Sequence, residues 1–251
     1  MKQGFWIVVK DMIREADVIL EILDARMPDL TRNKRLEQYA AASGKRLMLV
    51  INKKDLISEN AIRSIEKSYS GRDYALVCSR SHKSISRFIG QIKSKAKKDK
   101  LKVAVIGYPN TGKSSLINIL SRGGKAKTSL ESGLTRGAQF ISGRGNLMLI
   151  DTPGVVPYED REEVLLGLTS AISPDKLNDP ESVAYELIGI FKKNNPIALE
   201  KEYGLNAGLE PEELLLEFGK KRCMLIKGGI VDERRAAIQL LTDWHNGKIR
   251  V

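Results

Sequence analysis

The chain has 251 residues, a formal net charge of +11, 42% hydrophobic residues and two cysteines. This length permits one large domain or a medium domain with a smaller companion, and the hydrophobic content is ample for a core. No apolar run suits a transmembrane helix or a secretory signal, because Lys10 and Asp11 end the stretch Phe5–Val9. We therefore expect a cytoplasmic protein without a membrane partner. Cys78 and Cys223 indicate neither a disulfide framework nor a metal cluster, and we interpret both as small buried residues.

The positive charge is unevenly distributed along the chain. Residues 1–158 carry 29 Lys and Arg against 14 Asp and Glu, whereas residues 159–251 carry 13 against 17. Two basic runs stand at Lys93–Lys102 and Lys220–Arg222, and such clusters bind RNA phosphates with salt-sensitive affinity. The alternative for each run is a solvated helix face or a linker. Because the front of the chain is so basic, we expect an RNA partner and no DNA partner.

Short apolar segments rich in β-branched residues alternate with amphipathic stretches in the front part of the chain. Four predicted strands each lead into a polar motif: Val18–Leu23, Leu47–Ile51, Tyr74–Cys78 and Val103–Ile106. Two more are predicted near Gln139–Ser142 and Leu147–Ile150. The alternation predicts an α/β fold with a doubly wound, mostly parallel sheet. Such sheets bind ligands at the carboxyl ends of their strands, where these motifs stand.

After Tyr158 the pattern becomes helical. Helix starts are predicted at Asp179-Pro180, Glu210-Pro211 and Asp232. The last helix is predicted to stop at Asn246-Gly247, since glycine there favours a helix end. We therefore predict two domains, residues 1–158 and an all-α domain of residues 159–251.

The segment Gly107-Tyr108-Pro109-Asn110-Thr111-Gly112-Lys113-Ser114 follows the fourth strand and opens an amphipathic helix. Its glycine spacing lets backbone N–H groups converge on phosphate oxygens, and the helix N-terminus adds its positive end. We expect Lys113 to bridge the β- and γ-phosphates and the Ser114 hydroxyl to ligate Mg²⁺.

The segment Asn52-Lys53-Lys54-Asp55 follows the second strand and predicts guanine recognition. The Asp55 carboxylate accepts from N1–H and the exocyclic amine of guanine, a donor pair that adenine lacks. The Lys53 stem is predicted to lie along the base, and Asn52 to tie this loop to the phosphate loop. Ser79 and Arg80 follow the third strand, where a backbone N–H is placed to meet guanine O6.

Asp151-Thr152-Pro153-Gly154 follows the last predicted strand. Asp151 is expected to reach Mg²⁺ through water, and the Gly154 N–H to sense the γ-phosphate. Thr135, between the phosphate loop and Asp151, is the candidate mobile Mg²⁺ ligand; the alternative is an ordinary loop threonine.

Val155 stands where signalling GTPases place a water-orienting glutamine, so we expect slow intrinsic hydrolysis. Asn110 is a candidate to help hold a monovalent cation such as K⁺ against the developing charge. The alternative is that Asn110 only shapes the turn. The catalytic candidates are therefore Lys113, Thr135, Gly154 and Asn110.

The base-reading motif precedes the phosphate loop, the reverse of the order in ordinary GTPases. A parallel sheet with short connections tolerates such a change in motif order, because its chain ends lie at the surface. In this order, Gly154 is joined through Pro157 to the helical part. We hypothesise that GTP loading reorients that part and that hydrolysis releases it.

This ordered set of motifs resembles the YlqF/YawG family of circularly permuted GTPases. The matching segments are Asp24-Ala25-Arg26-x-Pro28, Asn52 to Asp55, Gly107 to Ser114, Gly133-Leu-Thr135, Asp151 to Gly154 and Gly228-Gly229-x-x-Asp232. The resemblance implies a circularly permuted P-loop GTPase domain followed by a small all-α domain. It assigns guanine contacts to Asn52, Lys53 and Asp55, Mg²⁺ to Ser114 and Thr135, and phosphate contacts to Asn110, Thr111, Gly112, Lys113, Ser114 and Ser115.

The same resemblance implies a function in assembly of the large ribosomal subunit through rRNA, with GTP or GDP and Mg²⁺ as cofactors. It also implies hydrolysis stimulated by K⁺ and by ribosomal particles. The alternative is a guanine-nucleotide-gated, protein-binding switch with negligible hydrolysis. We expect a monomer. We also expect terminal extensions used by family members to be missing, since the first strand starts near Val18 and the sequence stops at Val251.

Overall fold

A computed structural model of the chain describes residues 3–79, 85–96, 98–121, 128–129, 140–151 and 162–250. The chain forms two compact units. The first comprises residues 1–55 and 62–159, and the second comprises residues 56–61 and 160–251. Among the described residues, no helix combines the length and apolar character needed to cross a membrane.

A mixed sheet forms the centre of the first unit. Strands β1 to β7 span Val18–Asp24, Arg46–Asn52, Tyr74–Leu76, Leu101–Gly107, Thr128–Ser129, Phe140–Ser142 and Leu147–Asp151. Their order across the sheet is β3-β2-β1-β4-β7-β6-β5. Strands β3, β2, β1, β4 and β7 are parallel, and β6 pairs antiparallel with both β7 and β5. The predicted mostly parallel sheet is confirmed.

Helices cover both faces of this sheet. They are α1 (Gln3–Glu15), α2 (Lys34–Ala42), α4 (Ile85–Lys93) and α5 (Lys113–Leu120), and a further helix, α3, spans Glu59–Ser68. On one face, α1 and α2 bury apolar side chains against Ile19 of β1 and Ile106 of β4. On the other, α4 and α5 pack against Leu20 and Ile22 of β1. Because both faces are covered, all seven residues of β1 are buried.

Helix α1 was not predicted from the sequence. Lys10 and Asp11 interrupt the apolar stretch, but Val9, Met12 and Ile13 recur at helical spacing and are almost completely buried. Their burial against the sheet stabilises a helix that the short apolar run alone does not reveal.

The second unit is helical. Its helices are α6 (Glu163–Leu168), α7 (Pro180–Asn194), α8 (Ile197–Tyr203), α9 (Pro211–Lys221) and α10 (Glu233–His245). Trp244 of α10 is 1% exposed, and its ring meets the Phe191 ring edge-on at 5.6 Å. Its indole N–H donates to the Leu168 carbonyl at 2.9 Å, so the buried polar atom is satisfied.

One interpretation of the sequence is wrong in this unit. Cys223 is exposed, not buried. It comes two residues after helix α9 ends and has a left-handed backbone, with φ of 53°. The chain turns there, so the apolar neighbours in sequence do not enclose the thiol. Cys78 in the first unit is buried, in agreement with the sequence interpretation.

Candidate nucleotide site

The carboxyl ends of three parallel strands, β1, β2 and β4, lie at one edge of the sheet. Asp24 at the end of β1 is in register with Asn52 at the end of β2. Gly107 at the end of β4 is in register with Ile22 of β1. The loop after each of these strands therefore begins at the same edge, where open α/β sheets bind ligands.

Asn52 links three of these loops. Its amide nitrogen donates to the Thr111 carbonyl at 2.9 Å and to the Ser79 hydroxyl at 3.2 Å. Its side-chain oxygen accepts from the Ser79 N–H at 3.0 Å. The side chain is completely buried, so these bonds also satisfy its polar atoms. One residue thus holds together the Asn52–Asp55 loop, the phosphate loop and the loop after β3.

Two glycines are required by close backbone contacts in the phosphate loop. A Cβ on Gly112 would lie 2.2 Å from the Asn52 amide nitrogen, and the residue has a left-handed φ of 96°. A Cβ on Gly107 would lie 2.4 Å from the Ile22 carbonyl oxygen. The phosphate loop therefore lies against its neighbours at distances that exclude any side chain at these positions.

The phosphate loop leads directly into helix α5. Lys113 is 7% exposed, and its ammonium donates to the Tyr108 carbonyl at 2.5 Å. The Thr111 hydroxyl donates to the same carbonyl at 3.0 Å. Ser114 and Ser115 are exposed in the first turn of the helix. A lysine cation beside the N-terminus of a helix is an arrangement that attracts anions, and phosphate binding by this loop stays a prediction.

Asn110 is exposed at the tip of this loop. Its backbone is left-handed, with φ of 58°, which asparagine tolerates better than most residues. This conformation fits the turn-shaping interpretation, and the cation role of Asn110 stays a prediction.

The Asn52–Asp55 loop has one ion-pair partner that the sequence analysis missed. Lys53 has a left-handed φ of 64°, and its ammonium donates to a carboxylate oxygen of Asp24 at 2.8 Å. Arg26 donates to both oxygens of the same carboxylate, at 3.0 and 2.7 Å. Burial raises the pKa of Asp24, but the attraction of Arg26 and Lys53 outweighs burial and holds this pKa at about 2. The carboxylate is therefore charged at ordinary pH.

Several predicted site residues lie outside the described part of the chain. They are Arg80, Thr135 and Gly154, together with the side chain of Asp151, whose backbone ends β7. Their roles stay predictions. The described residues that come together at the sheet edge are Asn52, Lys53, Ser79, Gly112 and Lys113. Asp55 lies beside them in a 3₁₀ turn, Lys54–Leu56.

Three lysines of the basic run 93–102 have acidic partners. Lys95 lies 2.6 Å from an Asp73 oxygen, Lys98 lies 2.6 Å from an Asp17 oxygen, and Lys102 lies 3.1 Å from a Glu15 oxygen. These pairs fit the interpretation of the run as a solvated face. RNA binding by this run stays a prediction.

Known proteins are similar to this chain in sequence and in fold. The family model described as "50S ribosome-binding GTPase" matches residues 102–184. The fold is similar to GDP-bound YlqF from T. maritima, with a TM-score of 0.67 and 23% identity, covering 97% of each chain. The GNP-bound form of YlqF gives a TM-score of 0.66. The chain therefore has the fold of YlqF, a circularly permuted GTPase.

Curated relatives match almost the whole chain. A GTP-binding protein of Methanocaldococcus jannaschii, MJ1464, is 34% identical, with 96% of this chain and 65% of the relative covered. GTPase grn1 of Schizosaccharomyces pombe is 34% identical, with 96% and 59% covered. Nuclear GTP-binding protein NUG1 of Saccharomyces cerevisiae is 30% identical, with 96% and 54% covered. The chain thus spans about half to two thirds of the length of these relatives.

Proposed function

We propose that this protein binds GTP and GDP at the sheet edge, hydrolyses GTP, and acts in ribosome assembly. The observation that carries the proposal is the Asn52 side chain, which joins the loop predicted to bind guanine to the phosphate loop. The two loops are in reversed chain order, yet they adjoin in one site. The names of the relatives, which include several GTP-binding proteins, support the same nucleotide.

Different residues bind different parts of the nucleotide. Asp55 accepts from the guanine N1–H and amine, and the Lys53 stem lies along the ring. Lys113 exchanges its bond to the Tyr108 carbonyl for phosphate oxygens, because a phosphate is the stronger acceptor. The Ser114 hydroxyl is an oxygen ligand of the kind that Mg²⁺ prefers, and its exposure in the first turn of α5 leaves it accessible. Bound Mg²⁺ would neutralise charge on the β- and γ-phosphates.

Hydrolysis in this proposal is slow without an activator. Val155 offers no group that orients water, so further help comes from K⁺ near Asn110 or from a bound particle. The description of the matching family model supports the large ribosomal subunit as that particle. The excess positive charge of residues 1–158 supports contacts with rRNA. A monomer located in the cytoplasm stays our expectation.

The test is GTP turnover in K⁺ buffer with purified large subunits, with small subunits, and with neither. We expect large subunits to raise turnover and small subunits to leave it unchanged. Replacing K⁺ by Na⁺ separates the cation effect from the particle effect. Lys113→Ala is the matched negative control, since it should abolish tight triphosphate binding.

Two results would contradict parts of the proposal. Tight GTP binding without stimulation by any ribosomal particle would favour the alternative, a nucleotide-gated protein-binding switch with negligible hydrolysis. Equal affinity for GDP and ADP would overturn the assignment of guanine recognition to Asp55.

A further inference from the structure

Asp24 connects the end of β1 to the predicted base-binding loop. We propose that Asp24, held by Arg26, is a positioning residue that fixes Lys53 in the orientation needed to cover the guanine ring. The proposal rests on the proposed function, because guanine is the ligand concerned. Its structural basis is the ion-pair cluster of these three side chains.

The Asp24 carboxylate is held in place by hydrogen bonds that do not involve Lys53. One oxygen accepts from the Arg26 side-chain Nε and from the Arg26 backbone N–H, both at 3.0 Å. The other accepts from the second guanidinium nitrogen at 2.7 Å. The backbone N–H of Asp24 donates to the Thr31 hydroxyl at 3.0 Å. The side chains of Arg26 and Asp24 are 1% and 8% exposed, so water competes little for these bonds.

Lys53 is constrained at both ends. Its backbone adopts a left-handed conformation, and its ammonium is 2.8 Å from the Asp24 carboxylate. A lysine side chain has several freely rotating bonds in water, and a ligand that must order them loses affinity. Because Asp24 orders the side chain in advance, its apolar stem is preorganised to receive a flat ring.

The charges of the cluster explain why the carboxylate is needed. The Asp24 carboxylate lies between two cations, Arg26 and Lys53. Without that negative charge, the two cations repel each other, and Lys53, which is more exposed than Arg26, moves away. An amide at position 24 keeps the shape but loses the attraction.

The experiment compares base-dependent with phosphate-only binding. The dissociation constants of GDP and of inorganic pyrophosphate are measured for the wild type, D24N, K53M and the double variant. We expect D24N and K53M each to weaken GDP binding about tenfold and to leave pyrophosphate binding unchanged. Both substitutions break the same interaction, the Asp24–Lys53 ion pair. The double variant should therefore bind GDP only slightly more weakly than the single variant with the lower affinity.

The matched control is D17N. Asp17 directly precedes the opposite end of β1, and its carboxylate accepts from Lys98 and from the Lys102 backbone N–H. This control removes the same charge from the same unit, and the ratio of GDP to pyrophosphate affinity should stay at the wild-type value.

Equal losses of GDP and pyrophosphate affinity in D24N, or additive losses in the double variant, would overturn the proposal. If D24N does not fold, K53M decides alone, because it leaves the Asp24–Arg26 pair intact; an unchanged affinity ratio in K53M overturns the proposal. A wild type that binds ADP as well as GDP would overturn the proposed function and this inference together. If the wild type is selective for guanine and D24N binds GDP with wild-type affinity, only this inference is overturned.

Discussion

Each of the two units contains a buried, charged carboxylate, and the two have different partners. Asp24 in the first unit binds Arg26 and Lys53, and Lys53 belongs to the predicted base-binding loop. Asp243 in the second unit accepts from the Tyr203 hydroxyl at 2.8 Å, from Gln239 at 2.9 Å and from Lys248 at 2.7 Å. The same arrangement of a buried acid with several donors therefore serves a candidate site in one unit and helix packing in the other.

The location of the donors accounts for this difference. The partners of Asp24 come from loops at the edge of the sheet, where parallel strands bind ligands. The donors to Asp243 come from helices α8 and α10 and from the segment after α10, and Arg222, directly after α9, lies 3.7 Å from the same carboxylate. Burial raises the pKa of Asp243, but hydrogen bonds from Lys248 and Tyr203 outweigh burial and lower it. Loss of Asp243 should therefore affect only stability, whereas loss of Asp24 should affect guanine binding as well as stability, because Arg26 also loses its acceptor.

The largest expected effect is that of Asp243→Ala on the second unit. The side chain is completely buried, and its removal leaves the Tyr203 hydroxyl and the Lys248 ammonium without their acceptor. We expect the free energy of unfolding of this unit to fall by about 3 kcal/mol. Urea unfolding followed by Trp244 fluorescence, in a Trp6→Phe background, measures it. If Asp243→Ala had wild-type stability but an altered ratio of GDP to pyrophosphate affinity, the contrast between Asp243 and Asp24 would be contradicted.

The next effect is that of Gly112→Ala on nucleotide affinity. The added methyl group would lie 2.2 Å from the Asn52 amide nitrogen, so the link between the two loops must break or shift. We expect GDP affinity to fall about 100-fold, because both the loop geometry and the Asn52 bonds change. Titration with GDP measures the loss. Gly90→Ala in helix α4 is the control, since its Cβ meets nothing within 4 Å; equal affinities in the two variants would contradict the account.

A third buried acid, Glu21, gives a pH-dependent contrast with Asp24 on the same strand. Burial raises the pKa of Glu21 from 4.5 to about 8, and a bond from the Asn33 N–H opposes this only in part. One carboxylate oxygen has no hydrogen-bond partner among the described residues. Because the folded state retains a proton that the unfolded chain has lost, wild-type stability should fall as the pH rises from 4.5 to 8.

Glu21→Gln should remove this dependence. We expect the variant to be more stable than the wild type at pH 8 and nearly equal to it at pH 4.5. Urea unfolding of both proteins across this range measures the difference. Parallel pH profiles for the two proteins would show that Glu21 does not titrate between these limits.

The smallest expected effect concerns a partly exposed carboxylate. Asp232 caps helix α10, and its side chain accepts from the Arg235 N–H at 3.0 Å. Asp232→Ala should reduce the free energy of unfolding by about 1 kcal/mol, because one N–H of the first turn loses its acceptor. A loss as large as that of Asp243→Ala would contradict the distinction between buried and exposed acids.

Local patterns in the sequence were sufficient for most of the fold. Strands β1, β2, β4 and β7 were predicted to within two residues at each end, because buried parallel strands form continuous apolar runs. The starts of helices α7, α9 and α10 followed from their proline and aspartate caps. Helix α1 was missed because only packing against the sheet makes its apolar face visible.

The candidate site was partly predictable for a similar reason. The motif residues Asn52 and Gly112 follow from spacing, since backbone approach to phosphates and loop closure require these residue types. The Asp24–Lys53 pair joins positions 29 residues apart, and only the adjacency of β1 and β2 brings them together. It was equally unpredictable that residues 56–61 belong to the second unit, because local sequence carries no information about contacts with residues that are distant along the chain.

The central claim is that the phosphate loop and the Asn52–Asp55 loop form one guanine-nucleotide site. A change of the nucleotide base tests this claim most directly. Titrations of the wild type and Asp55→Asn with GDP and with xanthosine diphosphate make the measurement. An amide at position 55 can donate to the 2-oxo group of xanthine and loses the double acceptor for guanine. We expect the wild type to prefer GDP and Asp55→Asn to prefer xanthosine diphosphate. Unchanged GDP affinity in Asp55→Asn would contradict the claim.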